Sequence, residues 1–190
     1  GMGNLRSVRR ALQQIGCASE LTSNPESIAK AEKVILPGVG AFGEAVKRID
    51  ALRLREPLMK HAAANKPLLG ICLGMQLLFD ASEESFQAKG LGILRGKVKR
   101  FNGALKVPHV GWNDVVPTMD DTLLGDAQTS RCFYFVHSYY VQSPEYEIGE
   151  TEYGIRFSSA VQKGRTFGTQ FHPEKSHDAG IELLKNFVRL

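Results

Sequence analysis

The chain has 190 residues, of which 43% are hydrophobic and 23% charged, and its formal net charge is +4. This composition is typical of one globular domain, so we expect a single domain over residues 1–190 and exclude a disordered chain. The basic residues are mixed with acidic ones and lack interleaved aromatics, which disfavours nucleic-acid binding. The densest basic stretch, at 95–101, is best interpreted as a solvated strand face; docking against an acidic partner is the alternative.

The 3 cysteines are widely spaced and form no C-x-x-C pair, which indicates a reducing compartment rather than a disulfide framework. The histidines show no metal-ligand spacing, so we expect neither a metal nor another cofactor. The sequence has no signal-peptide pattern, and no apolar run reaches the roughly 20 residues that span a bilayer. We therefore expect a cytoplasmic protein that does not meet a membrane.

The first half of the chain alternates between helix-like and strand-like segments. Apolar residues at three- and four-residue spacing predict an opening helix that ends at Gly16. Next we expect a short strand over 19–22, a helix capped by Asn24 and a buried strand over 33–36. A helical region over 41–65 comes after them, with a break near Pro57. A second buried strand over 67–71 leads into a helix over 73–80. This alternation predicts parallel βαβ units with helices on both faces of the sheet.

The second half, from about 91 to 171, is mostly strand-like and precedes a final helix over 177–189. The whole pattern predicts an α/β sandwich in which a central, mostly parallel sheet carries extra antiparallel strands. An α/β domain normally begins with a central strand, whereas this sequence begins with the loop-like stretch GMGN. We therefore expect that the first β-strand is missing from the sequence.

The stretch LLGICLGMQLLF at 68–79 places Cys72 between two glycines, where a strand ends and a helix begins. This pattern is typical of a nucleophile elbow, in which the flanking glycines relieve crowding around the nucleophile. The start of a helix favours a thiolate over a thiol, and the N–H of Leu73 would point toward an oxyanion beside the sulfur. A packing role is the alternative, because free cysteines are among the most often buried residues.

The stretch HPEKS at 172–176 offers a base and a group to orient it. A residue before proline is pushed into extended backbone, and residues i and i+2 of a strand share a face. We therefore expect His172 and Glu174 to point the same way, so that the carboxylate orients the imidazole toward a thiol. A simple strand-end histidine is the alternative.

The turn PGVG at 37–40 follows the buried strand over 33–36. Backbone N–H groups in such a turn complete the oxyanion hole of acyl-transfer enzymes. An ordinary connection between strand and helix is the alternative. A phosphate-binding loop is disfavoured, because neither the Walker spacing nor G-x-G-x-x-G is present.

Together and in this order, the three motifs resemble the class I glutamine amidotransferases, with Cys72, His172 and Glu174 in the positions of that family's triad. Longer strings at 3–8, 37–43, 70–79, 109–113, 134–140 and 172–176 are similar to one branch of the family, the glutaminase subunits of imidazole glycerol phosphate synthase. The resemblance covers essentially the whole chain and implies the family's flavodoxin-like sandwich. It also implies that the protein hydrolyses L-glutamine to glutamate and ammonia within a heterodimer. The partner would be the (β/α)₈-barrel cyclase subunit, which uses the ammonia in histidine biosynthesis.

The resemblance also implies roles for individual residues. Cys72 would attack the glutamine amide, His172 would shuttle the proton and Glu174 would orient His172. Leu73 and the Val39–Gly40 turn would hold the oxyanion, and that turn would flip when the partner binds its nucleotide. Four residues would bind glutamine: Gln76, Glu84, Ser138 and Tyr139. Of these, Glu84 is expected to end the helix after Cys72. Four others would contact the partner: Asn4, Trp112, Tyr134 and Lys175.

Three other functions stay open at this point. The strings at 37–43 and 109–113 disfavour an amidotransferase subunit of another synthase, such as the anthranilate enzyme. A cysteine-dependent peptidase or chaperone-like relative on the same fold often has histidine directly after the cysteine, where this chain has Leu73. A non-catalytic binding module is disfavoured because the triad is complete. For Gln76 and Glu84 the alternative is an ordinary polar helix surface, and for Trp112 it is a place in the core.

Overall fold

The computed structural model describes residues 2–102, 105–120, 123–126, 129–143 and 145–190, with the side chains of residues 2 and 3 outside the description. Its helices are α1 (Met2–Gln14), α2 (Pro25–Lys30), α3 (Phe42–Ala51), α4 (Arg55–Ala63), α5 (Leu73–Leu77) and α6 (His177–Arg189), with a 3₁₀ turn at Pro173–Lys175. Its strands are β1 (Val34–Gly38), β2 (Leu68–Cys72), β3 (Ala81–Ser82), β4 (Ser85–Lys89), β5 (Lys97–Arg100), β6 (His109–Pro117), β7 (Arg131–His137), β8 (Tyr139–Tyr140), β9 (Glu147–Glu152), β10 (Arg156–Lys163) and β11 (Thr166–Thr169).

Seven strands form one sheet in the order β1-β2-β11-β10-β9-β6-β7, and a smaller sheet has the order β4-β3-β5-β8. Strand β2 pairs in parallel with both β1 and β11, whereas the pairings from β11 to β7 are antiparallel. The predicted class, an α/β fold with extra antiparallel strands, is confirmed. The parallel part is smaller than the sequence pattern indicates, because the strands of the second half extend the same sheet in antiparallel fashion.

Two hydrophobic cores lie on the two faces of the large sheet. Alternate residues of β2 point to opposite faces, so Leu69 and Ile71 join one core and Leu68 joins the other. The first core contains the apolar faces of α1 and α6, and the second contains those of α2, α3 and α4. Helices therefore cover both faces, as the apolar runs of β1 and β2 predict. This arrangement fixes the carboxyl end of β2, where Cys72 lies.

Two helix ends in the first half of the chain, after α1 and before α2, lie where the local sequence signals predict them. Helix α1 is followed by Gly16 at φ +75°, and the Asn24 side-chain oxygen accepts a hydrogen bond of 2.8 Å from the N–H of Glu26 at the start of α2. Three sequence-based assignments are wrong, and residues 2–4 of the loop-like stretch GMGN are also helical. Residues 19–22 form no strand; the helical break falls at 52–54, with Arg53 at φ +55°; and the helix after Cys72 ends at Leu77.

The position of that break has a physical reason. Pro57 is the third residue of α4, where a helix has no intrahelical use for the missing N–H, so proline is tolerated there. Within the described ranges, no helix is long and apolar enough to cross a membrane.

Candidate active site

Cys72 ends strand β2 and stands directly before α5, in a backbone conformation with φ +55° and ψ −110°. Such a positive φ costs energy in a residue other than glycine, and strain of this kind is typical of a nucleophile elbow. The flanking glycines make the turn sterically possible. A Cβ on Gly74 would overlap the carbonyl oxygen of Leu36, and one on Gly70 would lie 2.6 Å from the carbonyl oxygen of Gly74.

The Cys72 side chain faces a pocket of about 380 Å³, which is of the size that small ligands occupy. Most of the sequence-predicted catalytic and substrate-binding residues line it. The described lining consists of Val39, Gly40, Cys72, Leu73, Gln76, Glu84, Pro108, Val136, His137, Ser138, Tyr139 and His172. The structure therefore brings together the elbow, the PGVG turn and the segment after β7, which lie far apart in sequence.

His172 and Glu174 meet as the sequence predicts, but through a different backbone. His172 is extended, whereas Glu174 lies in the 3₁₀ turn and not on a strand. The turn brings Oε1 of Glu174 to 2.8 Å from Nδ1 of His172, and neither side chain is exposed to solvent. Among the described residues, Nε2 of His172 has no hydrogen-bond partner, so this nitrogen is free to serve the pocket.

The electrostatics of His172 favour its charged form. Burial lowers the pKa of His172, but the Cys72 sulfur and the Glu174 carboxylate outweigh burial and raise this pKa to about 9. An imidazolium beside the sulfur at neutral pH is the state that can give a proton to a leaving amine. The arrangement is therefore suited to acyl transfer through a cysteine.

Two glutamine side chains lie around the sulfur. Nε2 of Gln170 is 3.7 Å from Sγ of Cys72, and Oε1 of Gln170 accepts a hydrogen bond of 3.0 Å from Nε2 of Gln76. Gln76 also donates to the carbonyl oxygen of Tyr139 at 3.2 Å. Gln76 therefore borders the pocket and also ties α5 to its opposite wall.

A histidine pair supports the same wall from behind. His137 and the carbonyl oxygen of Tyr139 are 2.8 Å apart, and the carbonyl can only accept, so His137 carries its proton on Nδ1. Its Nε2 then accepts from Nδ1 of His109 at 3.0 Å, and Nε2 of His109 accepts from Asn113 at 3.3 Å. Burial lowers the pKa of His137 to about 3 and that of His109 to about 4. Both rings are therefore neutral at physiological pH.

Glu84 lies in the turn between β3 and β4, so its predicted position at the end of the helix after Cys72 is wrong. The helix ends earlier because the chain turns into the small sheet at Ala81. Glu84 nevertheless reaches the pocket, where Oε2 accepts a hydrogen bond of 2.7 Å from the N–H of Phe42 at the start of α3. Its carboxylate therefore caps the helix that follows the PGVG turn.

The PGVG turn lies directly over the elbow. A Cβ on Gly38 would come within 2.9 Å of both the N of Gly74 and the Cβ of Leu73, so only glycine permits this approach. The turn itself is exposed: Val39 is 41% exposed, and Gly40 has φ +100° with nothing within 4 Å of the position that a Cβ would take. The turn is therefore close to the nucleophile and has space around it.

Three of the four sequence-predicted partner residues form one surface cluster. The Trp112 ring is 48% exposed, lies at 6.1 Å from the Tyr134 ring and stacks at 5.0 Å on His177. Nζ of Lys175 lies 5.7 Å from the Tyr134 ring. Asn4 differs, because it is only 8% exposed and its side-chain atoms have no hydrogen-bond partner among the described residues.

Sequence reasoning missed several residues that line or support the site. Gln170 lies two residues before His172, and the same period-two argument that linked His172 to Glu174 could have found it. His109, His137 and Pro108 had no local signal, because their roles depend on contacts between strands. In the described parts of the chain, no three His, Cys, Asp or Glu side chains are grouped closely enough to hold a metal ion.

Comparisons with known proteins agree with this geometry. The family described as "Glutamine amidotransferase class-I" matches residues 1–190, and the chain therefore belongs to the class I glutamine amidotransferase family. The family and fold class predicted from the sequence are confirmed. A solved structure described as "Crystal structure of glutamine amidotransferase" shares the fold with a TM-score of 0.77 at 20% identity, covering 97% of this chain and 92% of that one.

More similar relatives define the branch of the family. The chain is 48% identical over 201 residues to "Imidazole glycerol phosphate synthase subunit HisH" of Nitrosospira multiformis, covering 100% of this chain and 94% of the relative. It is also 48% identical over 192 residues to the protein of the same name from Moorella thermoacetica, covering 100% of this chain and 91% of the relative.

Proposed function

We propose that this chain is the glutaminase subunit of a cytoplasmic imidazole glycerol phosphate synthase, in which its single domain supplies ammonia to a cyclase subunit for histidine biosynthesis. The observation that carries the proposal is the buried His172–Glu174 pair, joined at 2.8 Å, of which His172 lines the same pocket as Cys72. Identity of 48% with relatives named as subunits of that synthase supports the pathway and the existence of a partner.

The reaction proceeds through a thioester. The Cys72 sulfur attacks the side-chain carbonyl carbon of L-glutamine, and the carbonyl oxygen becomes an oxyanion held by N–H groups of Leu73 and of the Val39–Gly40 turn. His172 then gives its proton to the amine, ammonia leaves and a γ-glutamyl thioester remains. Water attacks this thioester while His172 takes back a proton, which releases glutamate and the Cys72 thiolate. Glu174 holds Nδ1 of His172 throughout.

The substrate's amino-acid end is recognised across the pocket. The Glu84 carboxylate suits the ammonium group of glutamine, and the segment of Ser138 and Tyr139 lies where it can meet the α-carboxylate. Gln76 lines the space between them. Because Glu84 also caps α3, substrate bound there contacts the helix that follows the PGVG turn. Val39 in that turn is then a regulatory position, which changes conformation when the cyclase binds its nucleotide.

Ammonia explains why a partner is needed. Free ammonia in neutral water becomes protonated and stops being a nucleophile, so it must pass directly to the enzyme that uses it. The cluster of Trp112, Tyr134 and Lys175 is an exposed aromatic surface with a cation, which is the composition of interface anchors. Val110, which lies on β6 together with Trp112, is also 55% exposed. We assign this face to the cyclase, and Asn4, which is 8% exposed, is the fourth proposed contact residue.

The experiment is a glutaminase assay of the chain alone, with the cyclase subunit, and with the cyclase plus its nucleotide ligand. We expect glutamate release to be very low in the first case and highest in the third. A Cys72→Ala variant should lose the stimulated turnover, while ammonium supplied at high pH should still support the cyclase. Stimulated turnover by that variant would contradict the mechanism. Activation by an anthranilate-type partner and not by the cyclase would contradict the pathway alone.

A further inference from the structure

We infer that Gln170 is a thiolate-binding residue, whose side-chain N–H donates to the Cys72 sulfur and favours its ionised form. The inference rests on the proposed role of Cys72 as nucleophile. Gln170 is fully buried, and its Nε2 lies 3.7 Å from Sγ of Cys72, within the range of hydrogen bonds to sulfur. Neither the family match nor the sequence motifs assign this residue a role.

The direction of the Gln170 amide follows from its neighbours. The carbonyl oxygen of Tyr139 can only accept, so Gln76 must present its NH₂ group to it, at 3.2 Å. The second N–H of Gln76 then faces Gln170 at 3.0 Å, and only an oxygen of Gln170 can receive it. The NH₂ group of Gln170 is left on the side of the sulfur. The amide therefore donates to Cys72 and does not accept from it.

The backbone around Gln170 is equally constrained. The N–H of Gln170 donates to the carbonyl oxygen of Ser159 at 2.8 Å, and two residues later the N–H of His172 donates to the carbonyl oxygen of Tyr134 at 2.9 Å. Strands β10 and β7 thus both hold the segment in place. The amide is already aimed before the substrate arrives, so little free energy is lost in orienting it.

Two contacts of the sulfur favour opposite protonation states. The carbonyl oxygen of Val136, at 3.8 Å, can bond only to a thiol, whereas the Gln170 N–H bonds more strongly to a thiolate. The titratable groups around the sulfur are His172 after β11, Glu174 in the 3₁₀ turn, His137 at the end of β7 and Glu84 in the β3–β4 turn. All four are unchanged by a substitution of Gln170, so the neutral Gln170→Met isolates the loss of the N–H, whereas Gln170→Glu adds a carboxylate beside the sulfur.

The test measures the alkylation rate of Cys72 by iodoacetamide against pH, without partner or glutamine. The background is C17S/C132S, which leaves Cys72 as the only cysteine. Gln170→Glu keeps an oxygen for Gln76 but replaces the donor with an acceptor, and Gln170→Met removes both. We expect the pH midpoint of alkylation to rise by about one unit in Gln170→Met and by more in Gln170→Glu, so that the rate below the midpoint falls about tenfold or more while the maximal rate is unchanged.

The control is Gln162→Glu on β10, the same chemical change at a residue whose Nε2 donates to the carbonyl oxygen of Gly164 instead. It should leave the alkylation profile unchanged. A purely structural role of Gln170 would alter the rate equally at every pH and leave the midpoint in place, and that outcome would overturn the inference.

A second measurement uses the unsubstituted side chain and does not depend on whether the variants fold. In the same background, the NMR signals of the Gln170 side-chain NH₂ should shift with the pH midpoint of alkylation and stop titrating once Cys72 is alkylated. Gln170 NH₂ chemical shifts that change neither with the ionisation of the Cys72 sulfur nor with its alkylation would overturn the inference. Because neither experiment uses turnover, these outcomes are separate from failure of the proposed function, which the stimulated Cys72→Ala assay detects.

Discussion

The buried histidine pair makes the protein sensitive to acid, and the size of the effect can be worked out. Burial lowers the folded-state pKa of His137 to about 3 and of His109 to about 4, from 6.5 in the unfolded chain. The unfolded state therefore binds more protons below pH 6.5, so the free energy of unfolding falls as the pH falls. Between pH 6.5 and pH 5, His137 alone costs about 2 kcal/mol of stability, at about 1.4 kcal/mol per pH unit.

For His109, whose surroundings are less completely desolvated, we take about half of that value, so the pair costs about 3 kcal/mol between pH 7 and pH 5. The assay is urea unfolding followed by circular dichroism at pH 7, 6 and 5. A double variant, His109→Phe with His137→Phe, keeps aromatic rings beside Phe135 and Phe157 but cannot titrate. We expect the unmodified protein to lose about 3 kcal/mol more than this variant over the same pH range.

Absolute stability will differ between the two proteins, because the variant also removes the hydrogen bond to the Tyr139 carbonyl; only the change with pH is compared. His61, whose pKa burial also lowers, is present in both and cancels. A His177→Phe variant, altered on the outer face against Trp112, serves as a control for removing a histidine. Equal losses in the double variant and the unmodified protein would show that His109 and His137 do not cause the acid sensitivity.

Three further changes test other parts of the structure. Gly74→Ala should destabilise the protein by more than about 3 kcal/mol in urea unfolding, because its Cβ would overlap the Leu36 carbonyl. Gly16→Ala should cost only about 1 kcal/mol, because Gly16 has open space around it and only its φ is unfavourable. Equal costs would contradict the close approach of Gly74 to Leu36. Glu84→Gln should raise KM for glutamine about tenfold in the stimulated assay, since a charged contact is lost, and an unchanged KM would remove Glu84 from the substrate site. Trp112→Ala should weaken cyclase binding by about 2 kcal/mol in calorimetry while leaving the chain's own thermal unfolding unchanged, and undiminished affinity would move the interface elsewhere.

Local chemistry explains which features could be predicted from the sequence. The elbow was predictable because two glycines around Cys72 mark a crowded strand-to-helix turn. The His172–Glu174 contact was predictable because the proline between the two residues restricts the backbone. The contact is made, although through a 3₁₀ turn, since both backbones bring the two side chains to the same side. Glu84 was misplaced because no local signal tells a short helix followed by a hairpin from a longer helix.

The rest of the site depends on pairing between distant strands. The His109–His137 bond exists because β6 and β7 align these two residues directly opposite each other, and that register has no trace in either segment alone. Gln170 meets Cys72 because β11 pairs in parallel with β2, although the two residues are 98 positions apart. Sequence patterns identify which residues can do chemistry, whereas the sheet determines which of them meet.

Affinity labelling shows directly whether Cys72 is the glutamine nucleophile. The chain with its cyclase partner would be incubated with 6-diazo-5-oxo-L-norleucine, an electrophile shaped like glutamine, and then mapped by peptide mass spectrometry. Accessibility alone favours Cys132, which is exposed, over Cys72, which is 7% exposed. We expect labelling of Cys72, and we expect excess glutamine or the His172→Asn substitution to prevent it. Labelling of Cys132 or Cys17 instead, or labelling of Cys72 that glutamine does not prevent, would contradict this role of Cys72.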